Sequence, residues 1–268
     1  MSEYRAPLED MRFVLRELAG MAGWSSYSAC AEFSPELGDA VLDEASRFAA
    51  EVLSPLNEVG DREGSRLEAG RVVTATGFRD AYARLVESGW VGLECDPKWG
   101  GQGLPKALGA AVNEMWSAAN HAFSMSFGLN QGAIRALSLA GSEDLQRLYL
   151  PRLVSGEWSG TMNLTEPQAG SDLAAIRARA VPQPDGSYRL SGNKIFISFG
   201  EHDMSANIVH LVLARIDGAP AGTRGLSLFL APKFLPDAEG RPGVANDVRC
   251  IAVEHKTGIR GKIGRAHV

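Results

Sequence analysis

Met162-Asn163-Leu164-Thr165-Glu166-Pro167-Gln168-Ala169-Gly170-Ser171-Asp172 is the stretch around which this 268-residue chain is organised. Leu164 and Thr165 close a short apolar run, which predicts the end of a strand. Pro167 has no N–H and a fixed φ, so regular pairing must stop there. Gly170 permits a backbone conformation or a close approach that a side chain would block. Ser171 and Asp172 bond neighbouring N–H groups and begin a turn. A strand that breaks into a loop of free N–H groups and hydroxyls is able to hold an electron-poor ring or a pyrophosphate. On spacing alone an ordinary exit from a strand into a turn is the stronger reading, because such turn chemistry is common.

A second stretch, Lys194-Ile195-Phe196-Ile197-Ser198, answers to the first. Phe196 offers a ring face for stacking and Ser198 a hydroxyl donor. Residues two apart on a strand share a face, so the expectation is one strand carrying both side chains beside the loop from Thr165 to Ser171. Thr165-Glu166-Pro167-x-Ala169-Gly170-Ser171-Asp172 resembles the most recognisable signature of the acyl-CoA dehydrogenase family. Residues 194–198 resemble that family's second flavin contact, usually Trp-Ile-Thr, with Phe196 for the Trp and Ser198 for the Thr. The resemblance implies FAD as cofactor, held by Met162, Asn163, Leu164, Thr165, Gly170, Ser171, Phe196, Ile197 and Ser198. It implies that Leu164 and Thr165 bond the pyrimidine edge of the flavin, that Phe196 stacks on the isoalloxazine and that Ser198 donates to N5. Ser171 is placed near the pyrophosphate or the bound thioester, which makes it a substrate contact as well. Glu166 is implied to belong to the scaffold of the flavin site and receives no catalytic role.

Composition bounds the rest. An apolar content of 45% and a charged content of 22% describe an ordinary soluble globular protein. A net charge of -5 provides no footprint for nucleic acid. No apolar run reaches the length of a bilayer span, and Met1-Ser2-Glu3-Tyr4-Arg5 lacks the basic region and apolar core of a secretory signal. Cys30, Cys95 and Cys250 are odd in number and far apart, which argues for reduced thiols in a cytosol. The five His form no ligand-like spacing with Cys or carboxylates, so no metal site is expected.

Hydrophobic spacing is helical through residue 157 and alternating after it, which places helices first and strands second. Residues 1–33 read as an N-terminal extension with a short amphipathic helix from Pro7 that serves as a packing arm. The pattern from Tyr4 to Phe13 resembles a segment found in the branch of the family that includes 3-methylmercaptopropionyl-CoA dehydrogenases. Residues 34–157 read as a helical domain. Ser34-Pro35 opens a helix that Ser54-Pro55 ends or bends, residues 76–87 form another, residues 105–140 two more, and Ser142 caps a last one. Pro97-Lys98-Trp99-Gly100-Gly101-Gln102-Gly103 lacks the Lys-Ser/Thr of a phosphate loop and a preceding strand, so it reads as a tight inter-helix loop. Asn130 and Gln131 either face an acyl pocket or are solvated or bonded to backbone, the second being the stronger reading. Residues 158–262 read as a middle β domain with strands near 175–181, 187–190, 194–198, 208–216, 226–230 and 248–253, turning at Pro184-Asp185-Gly186 and Ser191-Gly192-Asn193.

The fold class expected is therefore α+β, an all-α domain followed by an antiparallel β-barrel-like middle domain. The family continues into a C-terminal four-helix domain, and this chain is expected to be truncated near Lys262. Residues 263–268, Ile-Gly-Arg-Ala-His-Val, match one frame of a common sequencing-library adapter and are expected not to derive from the natural chain. The implied reaction is oxidation of a saturated acyl-CoA thioester to the 2,3-enoyl-CoA, with hydride passing to flavin N5. Its base is a Glu of the missing domain, so no catalytic residue is expected here. The partners implied are acyl-CoA, an electron-transfer flavoprotein or similar acceptor, and further copies of the full-length chain. An acyl-CoA or nitroalkane oxidase of the same fold, or a non-catalytic flavin- or CoA-binding module, stays open.

Overall fold

The computed structural model describes residues 4–254, 256–261 and 265–267. Its first half is helical: α1 (Leu8–Phe13), α2 (Pro35–Phe48), α3 (Ser54–Glu63), α4 (Phe78–Glu87), α5 (Lys106–Ala119), α6 (His121–Ala140) and α7 (Glu143–Ser155). Ser34 starts α2 by accepting the Leu37 N–H at 3.2 Å. Ser54-Pro55 does not end the helical run, because these two residues are the first of α3. A π-helical turn at Ala49–Leu53 resets the hydrogen-bond ladder, and α3 follows at once. Asn120 divides α5 from α6. Its amide oxygen accepts from Phe123 N–H at 3.0 Å and its amide nitrogen donates to the Leu53 carbonyl at 3.1 Å.

Trp116 of α5 is the centre of the helical core, with the rings of Phe48, Trp90 and Phe127 5.2 to 5.4 Å from it. The N-terminal arm packs on α2 as expected, burying Met11, Leu15, Met21 and Trp24 while Arg12 and Arg16 pair with Asp39 and Asp43. The glycine-rich loop holds a short 3-10 turn capped by Asp96. A Cβ on Gly101 would stand 2.0 Å from the Cys95 carbonyl, so the glycine serves a close backbone approach. One hairpin here was not anticipated: β1 (Arg66–Glu68) and β2 (Arg71–Val73). Its turn runs through Ala69 and Gly70, both at positive φ, and Ala-Gly lacks the Asn or Asp that marks such turns.

The second half is built on β7 (Asn207–Ile216). One edge pairs antiparallel with β8 (Leu226–Pro232). The other edge takes β3 (Trp158–Asn163) and then β4 (Arg179–Pro182), both parallel to it. β5 (Tyr188–Ser191) pairs antiparallel with β4. β6 (Asn193–Ile195) lies apart from this sheet, and β9 (Phe234–Pro236) pairs with β10 (Pro242–Ala245). The α+β class is as expected, but the two parallel pairings correct a uniformly antiparallel sheet. Turn chemistry reveals only hairpins between sequence neighbours. β3 and β7 are separated by residues 164–206, a crossover that no local signal announces. Residues 248–253 form no regular strand. Of the expected foreign tail, only β11 (Arg265–His267) is described, as backbone paired with β6. Residues 262–264 and 268, like His255, lie outside the described residues.

The two halves meet where β3 lies on α6. A Cβ on Gly160 would come 2.3 Å from the Ala133 Cβ and 3.3 Å from the Asn130 amide oxygen. Gly160→Ala is expected to force helix and strand apart at a cost of about 1–3 kcal/mol, read as a lower melting temperature. An unchanged melting temperature would show that this contact is looser than described.

Candidate functional site

β3 and β4 occupy successive positions on one edge of β7, and the chain between them, residues 164–178, is thrown outward as a loop. The signature stretch is that loop. Glu166 holds it together. The Glu166 and Ala169 backbones exchange two hydrogen bonds of 3.0 Å, which makes a tight turn around Pro167. The buried Glu166 carboxylate accepts from Ala178 N–H at 2.9 Å, Arg177 N–H at 2.8 Å and Gln168 Nε2 at 2.5 Å, so it also pins the returning end of the loop. Its fourth partner is Lys194 Nζ at 2.8 Å.

Lys194 has no exposed surface. Its ammonium donates to Glu166, to the Leu164 carbonyl at 2.9 Å and to the Leu213 carbonyl at 2.7 Å, so all three protons are used. One side chain thus ties the start of the signature loop, its carboxylate and β7 together. Burial works against the charge on Glu166, but Lys194 and the two backbone donors outweigh it and hold the carboxyl below its ordinary range. Burial draws Lys194 down, with Glu166 opposing. The position of Glu166 is that of a structural anion, in keeping with a scaffold role. The function of Lys194 was missed, because a lysine between β-strand residues normally signals a solvated face.

The second stretch reaches the first through a hydrogen bond of 2.9 Å from Ile195 N–H to the Thr165 carbonyl. Its geometry corrects the expected strand. β6 ends at Ile195, and Phe196 and Phe199 both take positive φ, 58° and 50°. Residues 196 to 198 are therefore not pleated, and the rule that alternate residues share a face lapses. Phe196 is 47% exposed with Lys256 Nζ 5.0 Å from its ring centre, whereas Ser198 is 8% exposed and Ile197 2%. The Ser198 carbonyl accepts the Thr161 hydroxyl at 2.7 Å.

Leu164 and Thr165 are half-buried at the mouth of the loop, and Gly170 and Ser171 are exposed on its far side. A Cβ on Gly170 would meet nothing of the protein, and its φ is not positive, so neither packing nor strain requires glycine there. The hydroxyls of Thr165, Ser171 and Ser198 have no intramolecular hydrogen bond among the described residues. An exposed aromatic face, uncommitted hydroxyls and an unobstructed glycine are groups that suit a flat aromatic ligand with polar edges and a phosphate chain. The structure joins the two stretches directly through the Ile195–Thr165 bond and through Lys194 to Leu164 and Glu166. The Asn163 side chain is not available to such a group. It is fully buried, with its amide 3.2 Å from His210 Nδ1. Asn130 and Gln131 donate through their amide nitrogens to the Leu153 and Val91 carbonyls.

Two buried histidines lie behind the site. His202 Nε2 is 2.9 Å from the Ser159 hydroxyl, and His210 Nε2 has no partner among the described residues. Burial, reinforced by Lys233, pushes both down to about 3. Both rings are therefore neutral at physiological pH.

A helical domain followed by a β domain, with a proline-broken loop stitched to an aromatic-hydroxyl segment, defines a class of two-domain α+β proteins. The family model "Acyl-CoA dehydrogenase, N-terminal domain" matches residues 36–157, and "Acyl-CoA dehydrogenase, middle domain" matches residues 161–265. The chain belongs to the acyl-CoA dehydrogenase family. It is 49% identical over 260 residues to the 3-methylmercaptopropionyl-CoA dehydrogenase of Ruegeria pomeroyi, covering 96% of this chain and 44% of that protein. It is 34% identical over 266 residues to a butyryl-CoA dehydrogenase of Syntrophomonas wolfei, covering 96% and 43%. The solved acyl-CoA dehydrogenase of Bacillus anthracis, complexed with FAD, superposes with a TM-score of 0.68 at 24% identity, over 88% of this chain and 35% of that one. The chain spans less than half the length of these two curated relatives. Among the described residues no helix is long and apolar enough to cross a membrane.

Proposed function

We propose that this chain carries the flavin-binding half of an FAD-dependent acyl-CoA dehydrogenase, which oxidises a saturated acyl-CoA thioester to the 2,3-enoyl-CoA. The observation that carries this reading is the stitching of the signature loop to the Phe196–Ser198 segment by Lys194, Glu166 and the Ile195–Thr165 bond. In it, Leu164 and Thr165 hold the polar edge of the isoalloxazine and Phe196 covers its face. Ser198 offers its hydroxyl near N5, and Gly170 and Ser171 border the phosphates or the thioester. Asn163 and Ile197 contribute backbone only, since their side chains point into the interior, and Met162 flanks the ring. When bound, FAD supplies the two-electron acceptor that takes hydride from the substrate β-carbon.

The α-proton needs a carboxylate base, and Glu166 does not serve, because its oxygens already accept four hydrogen bonds. We place the base in the part of the relatives' length that this chain does not span. An electron-transfer flavoprotein or similar acceptor removes the electrons, the whole enzyme is a homo-oligomer, and the three free thiols suit the cytoplasm.

The 268-residue chain is expected to bind FAD weakly but titratably, and to leave the flavin yellow when saturated acyl-CoAs are added without oxygen. A chimera carrying the remainder of the R. pomeroyi relative after Gly261 is expected to bleach with at least one acyl-CoA of a panel that includes a thioether chain. Bleaching by the 268-residue chain alone would place the base within it, and absence of flavin binding in both proteins would overturn the site.

A further inference from the structure

The buried face of β3 carries Ser159, Thr161 and Asn163, each two residues from the next. All three are polar, and the loop that contains Ser198 is fastened to the first two. The Thr161 hydroxyl donates to the Ser198 carbonyl at 2.7 Å. The Ser159 hydroxyl meets His202 Nε2 at 2.9 Å and the Ser205 hydroxyl at 3.0 Å. Proton positions follow from the ends of this chain. Met204 N–H donates to His202 Nδ1 at 3.1 Å, so Nδ1 carries no proton. The neutral ring therefore has its proton on Nε2 and donates it to Ser159. Ser205 donates to the Asn207 carbonyl at 2.8 Å, which leaves its oxygen to accept from Ser159. Every link runs in one direction, from His202 through Ser159 and Ser205 to the backbone of β7.

This relay sits beside a strained segment. Phe196 and Phe199, on either side of Ile197 and Ser198, both occupy the left-handed region. Such residues persist only where their surroundings over-determine them. Ile197 and Phe199 are buried, the Phe199 ring lies 6.0 Å from that of His202 in an edge contact, and Thr161 grips the centre of the segment. His202 itself has no route to substrate, being 3% exposed on the interior side of the loop.

We propose that His202 is a positioning residue that, through Ser159 and the turn from Phe199 to Met204, holds Ser198 and Phe196 in the conformation that receives the flavin. This rests on the flavin reading above. A ring with an acceptor on one side and a donor on the other is what the position requires. Phe has the shape without either group. Asn keeps an acceptor near Nδ1, and so the Met204 closure.

The test uses the 268-residue chain and four proteins: wild type, His202→Phe, His202→Asn and Met21→Ala. Met21 is buried in the N-terminal arm, so Met21→Ala is a control for general loss of stability. Amide hydrogen exchange without FAD reports the loop, and fluorescence titration reports the FAD dissociation constant. His202→Phe is expected to raise exchange selectively across residues 196–204 and to weaken FAD at least tenfold. His202→Asn is expected to recover most of both, and Met21→Ala to stay within twofold of wild type in FAD affinity. Equal weakening in Met21→Ala, or uniform exchange in His202→Phe, would reduce His202 to general stability and overturn the proposal. If wild type binds FAD and His202→Phe binds it equally well, the proposal fails alone. If neither the 268-residue chain nor the chimera binds FAD, the flavin reading fails and takes this proposal with it. If only the chimera binds, the same four proteins are compared in the chimera and the same outcomes decide.

Discussion

Replacing Lys194 by methionine is expected to destabilise this protein more than any surface change. Breaking a buried ion pair from one side typically costs about 3–5 kcal/mol, because the surviving charge is left uncompensated. Here Glu166 would keep only backbone and amide donors, and the Leu164 and Leu213 carbonyls would lose theirs. For a chain of this size that corresponds to a melting temperature lower by roughly 10 °C. The loss should be local first, since the three acceptors of Lys194 lie on the signature loop and on β7. Glu166→Gln strands the ammonium in the same way and is expected to cost a comparable amount, with Lys194 keeping the Leu164 and Leu213 carbonyls. The double variant should lose less than the sum of the singles, because removing both charges leaves none stranded. Urea denaturation of the four proteins measures this coupling. A Lys194→Met protein within about 1 kcal/mol of wild type would show that the ammonium is not the tie described here.

Mild acid is expected to destabilise the protein well before its carboxylates titrate. His202 and His210 have folded pKa values of about 3, against about 6.5 for an unfolded histidine. Above pH 6.5 neither state binds these protons, so the histidines contribute no pH dependence. As pH falls below 6.5 the unfolded chain takes up protons that the folded chain refuses, and stability declines until about pH 3. The slope is about 1.4 kcal/mol per pH unit for each histidine. At pH 5 the two together amount to roughly 4 kcal/mol. Glu166, held below its ordinary range, adds its own loss only as pH falls through the carboxylate region. Melting temperatures between pH 7.5 and 5 test this. His202→Asn should halve the slope, because one of the two refusing sites is gone, and an undiminished slope in that variant would assign the acid sensitivity elsewhere.

The order of helices before strands was legible in residues 34–230 because it rests on local chemistry, whereas the family signature was legible only through the resemblance, since its turn chemistry alone reads as an ordinary strand exit. Helical spacing, the Ser34 and Ser142 caps and the Pro167 break each act within a few residues. The assignment of Glu166 to the scaffold came from the resemblance and not from local chemistry; three of its four hydrogen bonds come from Arg177, Ala178 and Lys194, well outside the signature. What escaped depends on residues far apart. Lys194 became a buried tie only because Leu164 and Leu213, 30 and 19 residues away, present their carbonyls to it. The parallel register of β3 with β7 spans a crossover whose ends carry no mutual signal. The positive φ of Phe196, which ends the strand before Ser198, cannot be read from Ile-Phe-Ile-Ser, a run that looks like a strand. The contacts that surround that conformation, the Thr161 and Ser159 hydroxyls of β3 and the His202 ring of the following loop, come from two segments about 40 residues apart. Local propensity is a matter of tenths of a kcal/mol per residue, whereas burying an ammonium or a strained turn against dedicated partners is a matter of several. Where the two compete, contacts that exist only after folding prevail.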